Sequence, residues 1–205
     1  MLSLDHFLVF ALISFTLAAT PGPNMIYLIS VALANGKSAA LTSLMGIVTA
    51  IIIHITLVSA GLTAIFISNP LFLTVLKFFG IAYLLFLAFN TIKSNKKITI
   101  DTTKNDRRSG FFYKGLVINL LNPKMIIFYF SFFPQFIDSS KNSVAIQSLQ
   151  LGATQVIIAF LVHFTVISFA SKIAATVNQN PTWIIIQKYI VAVVLVVIAL
   201  LLLFV

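Results

Sequence analysis

At 205 residues, 60% of them hydrophobic and only 8% charged, with a mean hydropathy of +1.10, the chain cannot be an ordinary soluble domain, where about a quarter of residues carry charge. Its net charge of +9 sits mostly in one loop, which argues against a nucleic-acid binder. Cysteine is absent, so disulfides, thiolate metal sites and thiol relays are excluded, and no cofactor is implied.

Apolar runs of about 20 residues, the length that crosses about 30 Å of hydrocarbon at about 1.5 Å per residue, recur along the chain. They predict an all-α integral membrane protein with six transmembrane helices. Helix one spans about 4–34. Its only early ionisable side chains are Asp5 and His6, and it continues well past signal-peptide length, so it reads as retained rather than cleaved. It is interrupted at Thr20-Pro21-Gly22-Pro23-Asn24. Two prolines remove two backbone donors and Gly22 lets the chain approach a ligand closely, where a kink needs only one proline. The half-helix beginning near Asn24 offers N–H groups and a positive dipole end to an anion, and carbonyls freed before Pro21 can accept from an ammonium group. Such breaks survive in hydrocarbon mainly where they are buried in protein or line a polar cavity.

Helix two, 39–64, carries Ala39, Ser43, Gly46 and Ala50 at spacings of three or four, a small-residue stripe suited to close packing, and also His54. Helix three spans 71–92. The loop at 93–110 and its flank hold Lys93, Lys96, Lys97, Lys104, Arg107, Arg108 and Lys114 against Asp101 and Asp106, which makes the loop cytoplasmic. Counting crossings puts Lys37 and Lys172 inside, leaves Lys77 and Lys141 near the outer face, and places both termini outside. A grip on nucleic acid or another anionic partner is the alternative use of the basic loop.

Helix four, 111–133, breaks near 122, where Asn122 suits an N-cap and Pro123 the first helical position. Residues 111–121 climb about 16 Å from the cytoplasmic face, so Lys124 falls near the bilayer centre. An ionised lysine there costs at least about 2.5–3.5 kcal/mol and is functional by default. Asp5, Asp101, Asp106 and Asp138 all fall at or beyond membrane boundaries, so no carboxylate of a predicted span pairs with it. Lys124 is then available to an anionic group of a substrate. The alternatives are a simple kink and a lysine whose stem snorkels as a structural element. Helices five and six span 146–171 and 184–205. His163 in helix five and His54 in helix two are the predicted intramembrane side chains that titrate near neutral pH, hence candidates for proton coupling or gating. The ordinary alternative is a histidine bonded to a backbone carbonyl. Without thiolate or carboxylate nearby they fall short of a metal site.

The whole chain, 1–205, reads as one domain of two three-helix halves, about 1–92 and 111–205. Pro23-Asn24-Met25-Ile26 aligns with Pro123-Lys124-Met125-Ile126, and an odd number of crossings inverts the second half, giving an inverted-topology repeat with helices one and four broken at proline. The candidate substrate site is Pro21, Gly22, Pro23, Asn24, Asn122, Pro123 and Lys124, which suits a zwitterion.

These residues resemble the lysine exporter (LysE) and homoserine/threonine resistance family of bacterial amino-acid exporters. The resemblance covers nearly the whole chain: Thr20 to Asn24, Gly46 through His54 to Leu62, Leu76 to Leu84, Asn119 to Lys124, Phe133 to Phe136, and Leu151 to Thr154. It implies a multi-pass protein of the bacterial inner membrane that exports amino acids or related small metabolites, driven by the proton gradient. Many relatives carry an aspartate at the position aligned with Ala159; His163, at i+4, is the candidate to take over its titration. A membrane enzyme would need a nucleophile–base pair, a metal set or several carboxylates, and none is found. For a structural or assembly subunit, matched breaks and an unpaired midplane lysine would be gratuitous. The expected partners are the amino acid, the lipid bilayer and a proton, without nucleic acid; a homodimer is one option for the oligomeric state.

Overall fold

A computed structural model of the protein describes residues 4–68, 70–93, 108–138, 143–173 and 181–201. The regular structure of these residues is helical: α1 (Leu4–Ala19), α2 (Pro23–Asn35), α3 (Lys37–Ser68), α4 (Pro70–Lys93), α5 (Arg108–Leu120), α6 (Pro123–Ile127), α7 (Val144–Ser168) and α8 (Pro181–Leu201). Most of the basic loop expected at 93–110 lies outside the described residues. Prolines set the helix starts. Pro23, Pro70, Pro123 and Pro181 each open a helix, where the missing donor costs nothing and the fixed φ is already helical. Gly36, at φ 87°, turns the chain between α2 and α3 and returns its N–H to the Ala32 carbonyl at 3.1 Å.

Both expected interruptions are sharp bends: α1 meets α2 at 51°, and α5 meets the segment beginning at Pro123 at 53°. Among the described residues, α3 over Lys37–Gly61 and α7 are long and apolar enough to cross a membrane, and each bent pair raises the number of spans, to four in all. The second limb of helix four differs from the plain helix expected through 133. One α-turn gives way to a π-turn over Phe128–Phe132 and a 3-10 turn over Phe133–Phe136. Pro134 cannot donate a backbone bond, and just ahead of it the Phe133 N–H reaches back five residues to the Phe128 carbonyl.

Packing follows residue size. The stripe Ala39, Ser43, Gly46 and Ala50 is buried, and α3 makes its most extensive contact with α5. A Cβ on Gly46 would fall on the Phe112 carbonyl oxygen, and one on Gly115 would fall on that of Ser43, so the two backbones approach as closely as glycine permits. The other main pairings are α4 with α8, α3 with α7, α1 with α7, and α2 with α3. Large apolar side chains such as Leu12, Phe15, Phe78, Phe86, Leu149 and Leu161 cover the outside. Outward hydroxyls turn inward instead: Thr16, Thr49, Thr56, Thr154 and Thr165 each donate to the carbonyl four residues back. Such a surface suits lipid and not water.

Candidate functional site

The two breaks meet. Three buried asparagines join them: Asn24 Nδ2 donates to Asn119 Oδ1 at 2.6 Å, Asn122 Nδ2 to Asn24 Oδ1 at 3.3 Å, and Asn119 Nδ2 to the Ile47 carbonyl of α3 at 3.1 Å. An amide supplies both donor and acceptor, so a chain of amides can satisfy itself out of reach of water.

The helix starts differ in what they leave open. At α6, Asn122 Oδ1 accepts the Lys124 N–H at 3.1 Å, and the Asn122 carbonyl accepts from Met125 and Ile126, so the expected free donors are already used. At α2, Gly22 occupies the N-cap with no side chain to close the turn, and the first backbone bond comes from Ile26, to the Gly22 carbonyl at 3.0 Å. The orphan first-turn donors are those of α2.

Lys124 is half-buried and reaches across to the other break. Its Nζ donates to the Leu17 carbonyl at 2.6 Å and the Thr20 carbonyl at 3.3 Å. These are carbonyls left over at the end of α1, where partial negative charge accumulates. The carbonyls expected to await a ligand's ammonium group are therefore occupied by the ammonium of Lys124.

Gly22, Asn24, Asn122, Lys124, Gln155 and His163 share a cavity of about 20 Å³, room for about one water. Nothing as large as an amino acid fits until it opens. Gln155, Ala159 and His163 stand at i, i+4 and i+8 on α7, all buried, forming one stripe along the cavity. The His163 Nδ1 lies 2.7 Å from the Ala159 carbonyl, a distance that assigns the proton to Nδ1. A second, apolar cavity of about 20 Å³ lies on the other side of Lys124, among Ile13, Leu84, Phe128 and Phe132.

Of the expected site residues, Gly22, Asn24, Asn122 and Lys124 line the polar cavity, while Pro21, Pro23 and Pro123 do not and act by shaping the backbone. The histidines are separated. His163 lines the cavity, whereas buried His54 lies outside its lining and stacks on Tyr129, ring centroids 5.0 Å apart and 15° from parallel. Sequence reasoning misses Asn119, Gln155 and Tyr129, although a glutamine as deep in an apolar run as Gln155 is a signal of the same kind as Lys124. Among the described residues no group of three potential ligands could hold a metal ion.

An apolar exterior around bent helices whose ends converge on a buried polar cavity defines a membrane transporter. Residues 15–205 match the LysE type translocator family, and the chain belongs to it. It is 30% identical over 178 residues to a homoserine/homoserine lactone efflux protein of Salmonella typhimurium strain LT2, covering 86% of each chain. A protein of the same name from Salmonella typhi matches at 30% over 178 residues. An uncharacterized membrane protein of Vibrio cholerae serotype O1 is 31% identical over 173 residues, 84% of each chain. No solved structure matches. Membership makes the protein a multi-pass membrane transporter and not an enzyme.

Proposed function

We propose that the protein is a proton-coupled secondary transporter of the bacterial inner membrane that exports a small zwitterionic amino acid of the homoserine type. The observation that carries this is the convergence, on one buried cavity, of the uncapped start of α2 and the ammonium of Lys124 from the other half. A carboxylate entering there meets helix-end donors and a cation together. Lys124 is ready to leave its two carbonyls for it, because a carbonyl is a weaker acceptor than an ionised carboxylate. The name of the Salmonella relatives supplies homoserine as the member of this class; the lactone that it also names carries the amine without a carboxylate.

Six crossings in two inverted halves fit the pairing of helices. Exchanging the halves turns α1 into α5, α3 into α7 and α4 into α8. The contact of α1 with α7 then becomes that of α5 with α3, and the contacts of α3 with α7 and α4 with α8 map onto themselves. Alternating access by rocking of one half against the other follows from that symmetry. The basic loop at 93–110 faces the cytoplasm and both termini face outward. His163, at the cavity and one turn beyond Ala159, is the proton-coupling group. The test is flux of labelled homoserine from proteoliposomes with and without an imposed pH gradient. Accelerated efflux against an inward proton gradient is expected; absence of amino-acid flux in any gradient would overturn the reading.

A further inference from the structure

The acceptors around the polar cavity are almost all in use. Asn24 Oδ1 takes the Asn122 amide, Asn119 Oδ1 takes that of Asn24, and Asn122 Oδ1 takes the Lys124 N–H. The Leu17 and Thr20 carbonyls hold the Lys124 ammonium, and the Ala159 carbonyl meets the His163 ring. Two side-chain acceptors are left: the unprotonated Nε2 of His163, already assigned to the proton, and one amide oxygen. Gln155 Oε1 is buried, in a residue only 1% exposed that lines the cavity, and it has no hydrogen-bond partner.

An unpaired amide oxygen away from water costs stability, and a methionine of similar volume would remove the cost. Its position is also held firmly. Gly152, one turn earlier on α7, lies so near α3 that a Cβ there would come within 2.8 Å of Ile55 Cγ2. The Tyr129 hydroxyl lies within reach of the amide but makes no hydrogen bond of ordinary geometry.

Building on the export reading, we infer that Gln155 receives the ammonium group of the substrate and restricts the cavity to compounds with a free amine. The ammonium carries three donors and a full charge, so its bond to an amide oxygen is of the strong, charge-assisted kind. Lys124 and the start of α2 serve the carboxylate, and Gln155 supplies the complementary end. On this assignment a site rich in donors rejects a small anion: an anion alone leaves Gln155 Oε1 unpaired, and a buried acceptor built for a donor rejects ligands that lack one.

The full-length protein in proteoliposomes tests this with homoserine and its N-acetyl derivative, which keeps the carboxylate and loses the ammonium. Wild type should transport homoserine and be inhibited poorly by the derivative. Gln155→Met should raise KM for homoserine by about ten- to a hundredfold. It should shrink the preference over the N-acetyl compound by a similar factor, with thermal stability in detergent unchanged or higher. Gln155→Glu keeps an acceptor oxygen and should retain the preference for the amine. Unaltered discrimination by a folded Gln155→Met protein would overturn the assignment. So would the same loss of discrimination in Tyr129→Phe, because Gln155 would then serve only to bond Tyr129. Wild-type protein that moves no amino acid overturns the export reading, and this inference with it.

Discussion

Replacing Lys124 by methionine separates its binding role from its structural one. The ammonium makes two bonds to carbonyls, at 2.6 and 3.3 Å. Charge-assisted bonds contribute about 1.5–3 kcal/mol each, the longer one at the weak end, so about 3–5 kcal/mol is lost when both go. Against this stands the cost of an ionised lysine at mid-membrane depth, about 2.5–3.5 kcal/mol, which the substitution also removes. The difference runs from about −0.5 to about 2.5 kcal/mol, a modest loss at its centre. Sequence alone suggests that removing an uncompensated charge leaves stability intact; the carbonyl partners change that to a modest loss. Transport is a different matter, because methionine offers nothing to a carboxylate. Lys124→Met should insert and remain folded, with a slightly lower melting temperature in detergent, and should export no homoserine in the proteoliposome assay. Near-normal flux at both limiting and saturating substrate would refute the assignment of Lys124 to the substrate.

Gly46→Ala should fail to give a stable fold, since its Cβ meets the Phe112 backbone oxygen and no side chain can move aside. Overpacking of this kind costs about 1–3 kcal/mol or more, and a wild-type melting temperature in detergent would contradict the close α3–α5 approach. Asn119→Leu cuts the asparagine chain where it meets α3 and leaves the Asn24 amide without its acceptor, a loss of about 1–3 kcal/mol; a melt within error of wild type would show that water replaces it. His163→Gln should flatten the pH dependence of export and uncouple it from a proton gradient, whereas His54→Gln, altered outside the cavity lining, should keep both; unchanged gradient-driven export by His163→Gln makes His163 structural. Ser94→Cys in intact cells should resist a membrane-impermeant thiol reagent and Ser140→Cys should react, and the reverse pattern would invert the topology.

What the sequence made legible was backbone chemistry. Proline and glycine encode where a helix must start or bend, so both breaks and the start at Pro70 could be read from letters alone. The stripe from Ala39 to Ala50 announced a close contact, but periodicity names a face and not its partner, and Gly115 on α5 emerged only from packing. The π-turn was hidden because its cause, Pro134, lies downstream of the helix it disturbs. At the site, Asn24, Asn122 and Lys124 stood out as polar groups among apolar ones. Their partners did not, because Lys124 is held by the carbonyls of Leu17 and Thr20, and a backbone acceptor has no letter of its own. Gln155 escaped for the opposite reason. Whether a buried amide is satisfied depends on every neighbour, and only the assembled cavity shows its oxygen alone.

On the proposed arrangement of two inverted halves, the aligned positions Asn24 and Lys124 tie the halves together. Each is the second residue of a second limb, and each reaches the end of the other half's first limb: Asn24 bonds Asn119 near the end of α5, and Lys124 bonds the Leu17 and Thr20 carbonyls at the end of α1. The two braces correspond in place but differ in chemistry. The first is a neutral amide pair, for which a carboxylate competes only weakly, and the second is an ammonium on carbonyls, for which a carboxylate competes with its full charge. On the proposed export cycle, substrate therefore loosens one brace and spares the other, so that binding favours movement about the asparagine chain. This asymmetry carries its own test. Lys124→Asn makes both positions asparagine, removing the charge for which a carboxylate competes, and it should abolish substrate-stimulated exposure of a reporter cysteine at Thr20. Undiminished stimulation in that variant would show that the substrate acts on the halves by some other contact.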